Sequence, residues 1–545
     1  MQSQAQPQPP DFPHRERVLG QVIASKGATN GSKTMVTFEG RDYSYRKVDE
    51  LSSRLANGLS AIGVVKGTHV ALMLDNTPEF LWLFFALAKL GAVSIPINTA
   101  CKGDLLTYYL NQSDSEVLVL SSHYCERLNV IRGDCTMLRS VVVFDEAQPN
   151  APLPTESAAD HISYRTLEHY PPVAPDTEVA FNDIAALMYT SGTTGPSKGN
   201  IFTHCNLLSA PYVRGQTFNY GPEDAMYICL PLFHGNGLFS GCISAVLADA
   251  RIVLARRFSA SRFWQDVREN GVTKFNLLSA MVDILWKQPP SPENNDGIRR
   301  QTTMVPVPDF GLAFADRFNL ELTSVYSLSD YANATLLGPD HPKEKFRSAG
   351  KPRPQIDVSI LDEDDFPVPA GEIGEICLRA KEPWIAAQGY YKMPEATLKS
   401  YRNLWFHTGD RGYLDSDGYL YFADRKKDAI RRRGENISAW EVERIVAMNA
   451  AIFEVAAYSV KAEMSEDEVM LSVVVRPGYA LSEAAIIEHC RENMAYYMVP
   501  RFIEFLEELP KTMTQKVQKY KLQESAQDRL QLIWDREKAG IKVTR

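Results

Sequence analysis

The chain contains no Cys-x-x-Cys pair. Its eight cysteines (Cys101, Cys125, Cys135, Cys205, Cys229, Cys242, Cys377 and Cys490) lie singly and far apart, which argues against a zinc site or a disulfide framework and for reduced, mostly buried thiols. A positive excess is also lacking: 67 acidic against 58 basic residues give a net charge of −9. That disfavours a nucleic-acid role and leaves any anionic ligand to local donors. Met1 to Pro13 is rich in Gln and Pro, without a basic start or an apolar stretch, so it reads as a disordered tail rather than a signal peptide, and a cytoplasmic location is expected. The most apolar stretch, Phe80 to Ile97, carries Lys89 and Gly91 and is interrupted by Pro96. It reads as a buried helix followed by a strand, not a membrane span. There is no internal repeat and no low-complexity core segment.

What is present is a long globular chain, 545 residues with 45% apolar and 23% charged content, enough for two or more domains. From Tyr43 the pattern alternates amphipathic helix (Tyr45 to Ile62), strand (His69 to Leu74), helix (Thr77 to Leu90) and strand (Ala92 to Pro96), the rhythm of a parallel α/β layer. It resumes at Ala225 to Leu230, Gly241 to Leu247, Arg251 to Leu254, Ser261 to Asn270 and Lys274 to Leu278, so a second α/β sheet is expected. Around Gln355 to Leu378 the spacing shortens to compact β structure. After Asp424 a small α+β unit follows, with helices at Trp440 to Met448 and Ser482 to Asn493 and strands at Val455 to Val460 and Met470 to Val475.

The segment Tyr189-Thr-Ser-Gly-Thr-Thr-Gly-Pro-Ser-Lys-Gly-Asn200 follows the apolar strand Ile184 to Met188. Glycines let backbone N–H groups converge, hydroxyls add donors and Lys198 adds charge, so the loop suits a polyphosphate. It is not a Walker A loop, because no Gly-Lys-Ser/Thr follows a four-residue gap from its first glycine. The string resembles the AMP-binding signature of the adenylate-forming superfamily of acyl-CoA synthetases, adenylation domains and luciferases. Further motifs match in the superfamily's order: Tyr326-Ser-Leu-Ser-Asp330, Trp405-Phe-His-Thr-Gly-Asp410, Asp424-Arg-Lys-Lys-Asp428, Arg433-Gly-Glu-Asn-Ile-Ser438 and Pro510-Lys-Thr-Met-Thr-Gln-Lys516.

The resemblance implies an α/β fold: a large N-terminal domain (14–426) of two α/β subdomains and a small β-barrel-like subdomain, then a small mobile α+β domain (427–545) turning about Lys427. It implies an AMP-forming acyl-CoA ligase that uses ATP, Mg²⁺ and coenzyme A. Thr190, Ser191, Gly192, Thr193, Thr194 and Lys198 are expected at the β/γ-phosphates, and Lys516 at the bridging oxygen and the attacking carboxylate. Ser329 takes the place of a threonine at the α-phosphate, and Asp330 that of a glutamate on Mg²⁺. Asp410 and Arg425, with Tyr326 in the neighbouring motif, serve the nucleotide, and Gly434 leaves room for the pantetheine arm. The usual Gly-Gly-Ala-Pro is replaced by Val305-Pro-Val-Pro-Asp309, a departure at the adenine site.

For the acid, His234 of Pro231-Leu-Phe-His-Gly-Asn236 is expected at the carboxylate end, with Gly237, Ser279, Met281, Val305, Pro306 and Tyr331 as walls, while Asn206 to Leu208 are assigned to helix packing. Phe275 to Pro289, Arg432 to Ser438 and Cys490 to Ala495 most resemble carnitine/crotonobetaine-CoA ligases. A quaternary ammonium would want an aromatic cage, for which Trp286, Tyr326 and Tyr331 are candidates. The run Arg431, Arg432, Arg433 suits either a solvated face or the phosphates of coenzyme A. The expected partner is a small carboxylic acid, with no nucleic acid and a possible homodimer. An enzyme loading a carrier protein and a non-catalytic relative are the alternatives. No carrier domain follows Arg545, which favours coenzyme A, and Lys198 together with Lys516 favours catalysis.

Overall fold

Six parallel strands and one antiparallel strand form the first sheet, in the order His161–Ser163, Ser140–Phe144, Val117–Ser121, His69–Met73, Val93–Pro96, Ile184–Thr190 and Lys198–Thr203. The computed structural model describes residues 12–146, 161–190, 196–289, 291, 294–425, 429–432, 434–461, 467–511 and 517–543. A second, nine-stranded sheet is built around parallel strands Leu320–Tyr326, Arg300–Val305, Lys274–Leu278, Ala225–Ile228, Arg251–Leu254 and Thr34–Phe38, with antiparallel strands at its edges.

The two sheets share one core. Side chains from the first (Val70, Leu72) and the second (Val36, Ile252) meet around helices Tyr45–Ala61, Pro78–Leu90 and His204–Thr217. This explains why Pro78–Leu90 is apolar on every face: all its residues except Glu79 are buried, as expected of a helix enclosed on all sides. Its single buried cation, Lys89, is held 2.5 Å from Asp49 Oδ1 and bonds to the Ser53 hydroxyl. The expected helix, strand, helix, strand succession from Tyr45 to Pro96 is present with boundaries within about two residues.

The compact β segment supplies the first two strands of a five-stranded antiparallel half-barrel, Ile356–Leu361, Gly374–Ala380, Tyr401–Arg402, Trp405–Leu414 and Leu420–Arg425. Register shifts at Glu375/Cys377 and at Arg411/Gly412 add the local twist that curls it. Beyond it come a hairpin (Ala429–Arg432, Glu435–Ser438), a four-stranded sheet (Ile452–Lys461, Asp467–Val475, Phe502–Phe505, Trp534–Asp535) and helices Ala439–Ala447, Glu483–Asn493 and Lys519–Asp528. Each of the first two of these helices starts on a capping serine, Ser438 or Ser482, which accepts a backbone N–H three residues on.

This C-terminal unit docks on the first sheet's outer layer. The hydroxyl of Tyr497 accepts from Asn98 Nδ2 at 3.2 Å, Arg444 lies 3.6 Å from Asp104, and the Lys102 ammonium reaches the Arg491 carbonyl. All eight cysteines are free thiols, seven of them buried. Among the described residues no helix is long and apolar enough to cross a membrane. Of the expected N-terminal tail, Met1 to Asp11 lie outside the described residues, whereas Phe12 is anchored: its ring packs on Tyr212 and its carbonyl accepts from Arg17.

Candidate active site

A cavity of about 420 Å³ opens where strands of both α/β sheets end. Pro96, Thr190, Leu230, Leu278, Val305 and Ser327 all lie at or just past the carboxyl ends of parallel strands and line it, the usual ligand position in open α/β sheets. Thr408 and Gly409 of the half-barrel form another wall, and Arg431, Gly434, Glu435, Tyr497 and Met498 of the C-terminal unit close the mouth.

The phosphate-type hairpin is held by antiparallel pairing of Thr190 with Lys198, which brings both residues to the cavity wall. Ser191, Gly192, Thr193 and Thr194 between them lie outside the described residues. Lys198 Nζ sits 4.6 Å from the centre of the Tyr390 ring. Ser329 and Asp330 line the cavity on the loop after Leu320–Tyr326. Burial, reinforced by the Asp330 charge, pushes the Tyr390 hydroxyl well above the usual phenol range, so Tyr390 stays neutral between a lysine and an aspartate. Tyr390 has no place among the expected residues. The Gly389-Tyr390 step after the half-barrel strand is the sequence signal that marks it.

Asp410 and Tyr326 sit behind the wall. Asp410 is 3% exposed and accepts a 2.7 Å hydrogen bond from the Tyr326 hydroxyl. The adjoining turn is fixed by Glu375, which accepts the Gly409 N–H at 3.0 Å while its other oxygen lies 3.3 Å from His407 Nδ1. The Arg425 backbone pairs with Asp410 across the sheet, its side chain being outside the description.

His234 lines the cavity, with Nε2 2.9 Å from Glu435 Oε2 of the C-terminal hairpin. Burial opposes a charged ring, but the carboxylate's charge and hydrogen bond outweigh it, holding the imidazole above its ordinary value. After His234 the chain enters a wide π-helical segment, Asn236–Ile243, a local form common at functional sites. Gly237 is required there, since a Cβ would lie 2.5 Å from the Pro231 carbonyl oxygen.

Gly434 lines the cavity at φ +81°, and a Cβ on it would meet Leu278 Cδ1 at 2.9 Å. Both the positive φ and the close approach favour glycine. Glu441, 4% exposed, accepts from Ser197 N at 2.9 Å and Oγ at 2.5 Å, tying the C-terminal unit to the phosphate hairpin. Its desolvation outweighs these bonds and holds its carboxyl above the usual carboxylate range. Glu435 lies in the motif Arg433 to Ser438 and Glu441 just after it, but their partners His234 and Ser197 stand 201 and 244 residues away and are not legible from that motif. Lys427 and Lys516 lie outside the described residues, and among the described residues none after Met498 lines the cavity.

Several expectations are corrected. Of the proposed acyl walls only Val305 lines the cavity. Met281 belongs to the core beneath it and Tyr331 to the half-barrel core. Gly237, Ser279 and Pro306 are likewise absent from its walls among the described residues. Asn206 and Leu207, assigned to helix packing, are buried in that packing as expected and also reach the cavity wall. No cage forms from Trp286, Tyr326 and Tyr331: Trp286 stacks on Phe310 under Arg317, Tyr326 holds Asp410, and Tyr331 packs on Phe406. Arg432 is no coenzyme contact either, because it is buried and donates to the Tyr497 and Val499 carbonyls.

One cavity at the carboxyl ends of two α/β sheets, with the Thr190–Lys198 hairpin and His234 on its wall and a small second domain at its mouth, is the setting of an adenylate-forming ligase. The chain matches the model for AMP-binding enzyme over residues 23–391 and that for AMP-binding enzyme C-terminal domain over residues 441–516. It is 32% identical over 521 residues to a crotonobetaine/carnitine–CoA ligase of Salmonella paratyphi B, covering 92% of this chain and 98% of that protein. An anthranilate CoA ligase solved with anthranoyl-AMP is 25% identical with a TM-score of 0.70, covering 96% of this chain and 99% of that one. A double mutant of the Bacillus subtilis o-succinylbenzoate CoA synthetase, bound to a product analogue, shares the fold at a TM-score of 0.80 and 24% identity over 92% of this chain and 97% of that chain. The chain belongs to the AMP-binding enzyme family. It is an AMP-forming acyl-CoA ligase.

Proposed function

We propose that both half-reactions run in this one cavity, with the C-terminal domain (427–545) changing face between them, and that the described arrangement is the thiol-accepting one. The observation that carries this reading is the wall composition: the phosphate-side residues Thr190, Lys198, Ser329 and Asp330 share a cavity with Arg431, Gly434 and Glu435 of the second domain. In the first step a carboxylate oxygen attacks the α-phosphate and pyrophosphate leaves. Charge gathers on groups already negative, so positioning and cationic stabilisation supply most of the rate.

In this reading Lys198, with Thr190 and the donors Ser191, Gly192, Thr193 and Thr194, holds the β/γ-phosphates, and Ser329 the α-phosphate. Asp410 holds the ribose once Tyr326 yields its hydrogen bond, and Arg425 supports it. Lys516 serves the first step only, turning in about Lys427. His234 flanks the acid's carboxylate, and Gly434 leaves space for the pantetheine arm. Asp330 and Ser329 offer hard oxygen donors on the cavity wall, a set that suits Mg²⁺ when substrate phosphates and water complete the shell. Held there, Mg²⁺ would supply positive charge to offset that of the departing pyrophosphate.

The test is a pair of substitutions at Asp330. Asp330→Ala is expected to lower acid-dependent ATP–pyrophosphate exchange by about 100-fold or more, whereas Asp330→Glu, which keeps the carboxylate, retains much of it and raises the Mg²⁺ concentration required least. Equal, small effects from both changes would place the metal elsewhere.

A further inference from the structure

Arg214 projects from helix His204–Thr217 and lines the cavity, yet it is only 1% exposed. Its bonds are all to neutral groups: Nη2 donates to Asn276 Oδ1 and to Thr303 Oγ1, both at 2.8 Å, and Nε to the Tyr220 hydroxyl at 3.3 Å. The Phe218 ring covers one face of the guanidinium at 4.7 Å. Among the described residues no carboxylate lies within ion-pair distance and Nη1 has no hydrogen-bond partner. Nη1 is nonetheless not sealed off, and the residue lines the cavity.

A guanidinium stays protonated, and a buried charge without a counter-charge is strongly destabilising unless a ligand supplies one. The surrounding amides are oriented for the same purpose. Arginine can only donate, so Asn276 must present Oδ1 to it, and its Nδ2 then donates to Asn236 Oδ1 at 2.8 Å. That leaves Asn236 Nδ2 as a second unpartnered donor on the cavity wall, among the described residues.

We infer that the acyl pocket takes a carboxylic acid bearing a second anionic group, a dicarboxylate in the simplest case. One carboxylate lies by His234 for activation, and the other accepts from Arg214 Nη1 and Asn236 Nδ2. The inference rests on the acyl-CoA ligase activity. It runs against a quaternary-ammonium acid, whose cation would face Arg214 with no aromatic cage to receive it.

The experiment measures acyl-CoA formation by wild-type enzyme with straight-chain α,ω-diacids of increasing length, the monomethyl ester of each, and trimethylammonium acids of matched length. Acyl-CoA from no acid at all would defeat the ligase reading itself. The expected result is a kcat/KM for the best diacid roughly 10- to 100-fold above its monomethyl ester, the range of one charged hydrogen-bonded contact. In Arg214→Met that ratio collapses towards one, while Arg214→Lys retains part of it. A wild-type preference for the ester or for the trimethylammonium acid overturns the inference without needing any variant, and so does an unchanged ratio in Arg214→Met.

Discussion

His234 shows how one residue links the two domains. Its ring is held above the ordinary histidine value by Glu435 against the opposing effect of burial. The sign follows directly: the charged pair is complete below the ordinary histidine value and is lost as pH rises through the raised one, so domain contact at this point weakens on the alkaline side. Glu435→Gln keeps the shape and removes the charge. It is expected to move the His234 midpoint down, read by NMR titration of the ring protons. An unmoved midpoint would show that Glu435 does not set it. The histidine was legible in Pro231-Leu-Phe-His-Gly-Asn236 because a motif is local. Arg214 was not, since one arginine in a helix gives no sign of whether an acid waits beside it.

At the scale of elements, the hairpin Ala429–Arg432 and Glu435–Ser438 divides its arginines by strand alternation. Arg431 lines the cavity, while Arg432 points the other way into the C-terminal core, with Nε 2.6 Å from Glu468 Oε2 in an ion pair too oblique for a hydrogen bond. Arg432→Met leaves Glu468 without that partner, so it is expected to cost about 3–5 kcal/mol in urea unfolding. Arg431→Ala is expected to leave stability unchanged and to raise the KM for coenzyme A about two- to fivefold, the scale of an exposed phosphate contact. The reverse assignment of effects would refute this division. A basic run in sequence does not reveal it, whereas hydrophobic periodicity did reveal the helices and strands on either side. The short period at Gln355 to Leu378 likewise gave the first two of the half-barrel's five strands, though neither the other three nor the register shifts that curl it.

At the scale of the molecule, the order of motifs announced two α/β layers, a half-barrel and a small final domain, because each is built from local periodicity. The sequence could not say which face the final domain presents. That depends on contacts such as Glu441 with Ser197 and Tyr497 with Asn98, hundreds of residues apart. The central claim is that the two half-reactions use different faces of that domain. It is tested most directly by measuring ATP–pyrophosphate exchange and acyl-CoA formation from preformed acyl-adenylate on Gly434→Asn and Lys516→Ala. Asparagine is chosen at Gly434 because it tolerates positive φ better than other side chains. Gly434→Asn is expected to keep exchange within about twofold and lose at least about tenfold in acyl-CoA formation, with Lys516→Ala giving the opposite pattern. A parallel loss of both activities in each variant would contradict the account.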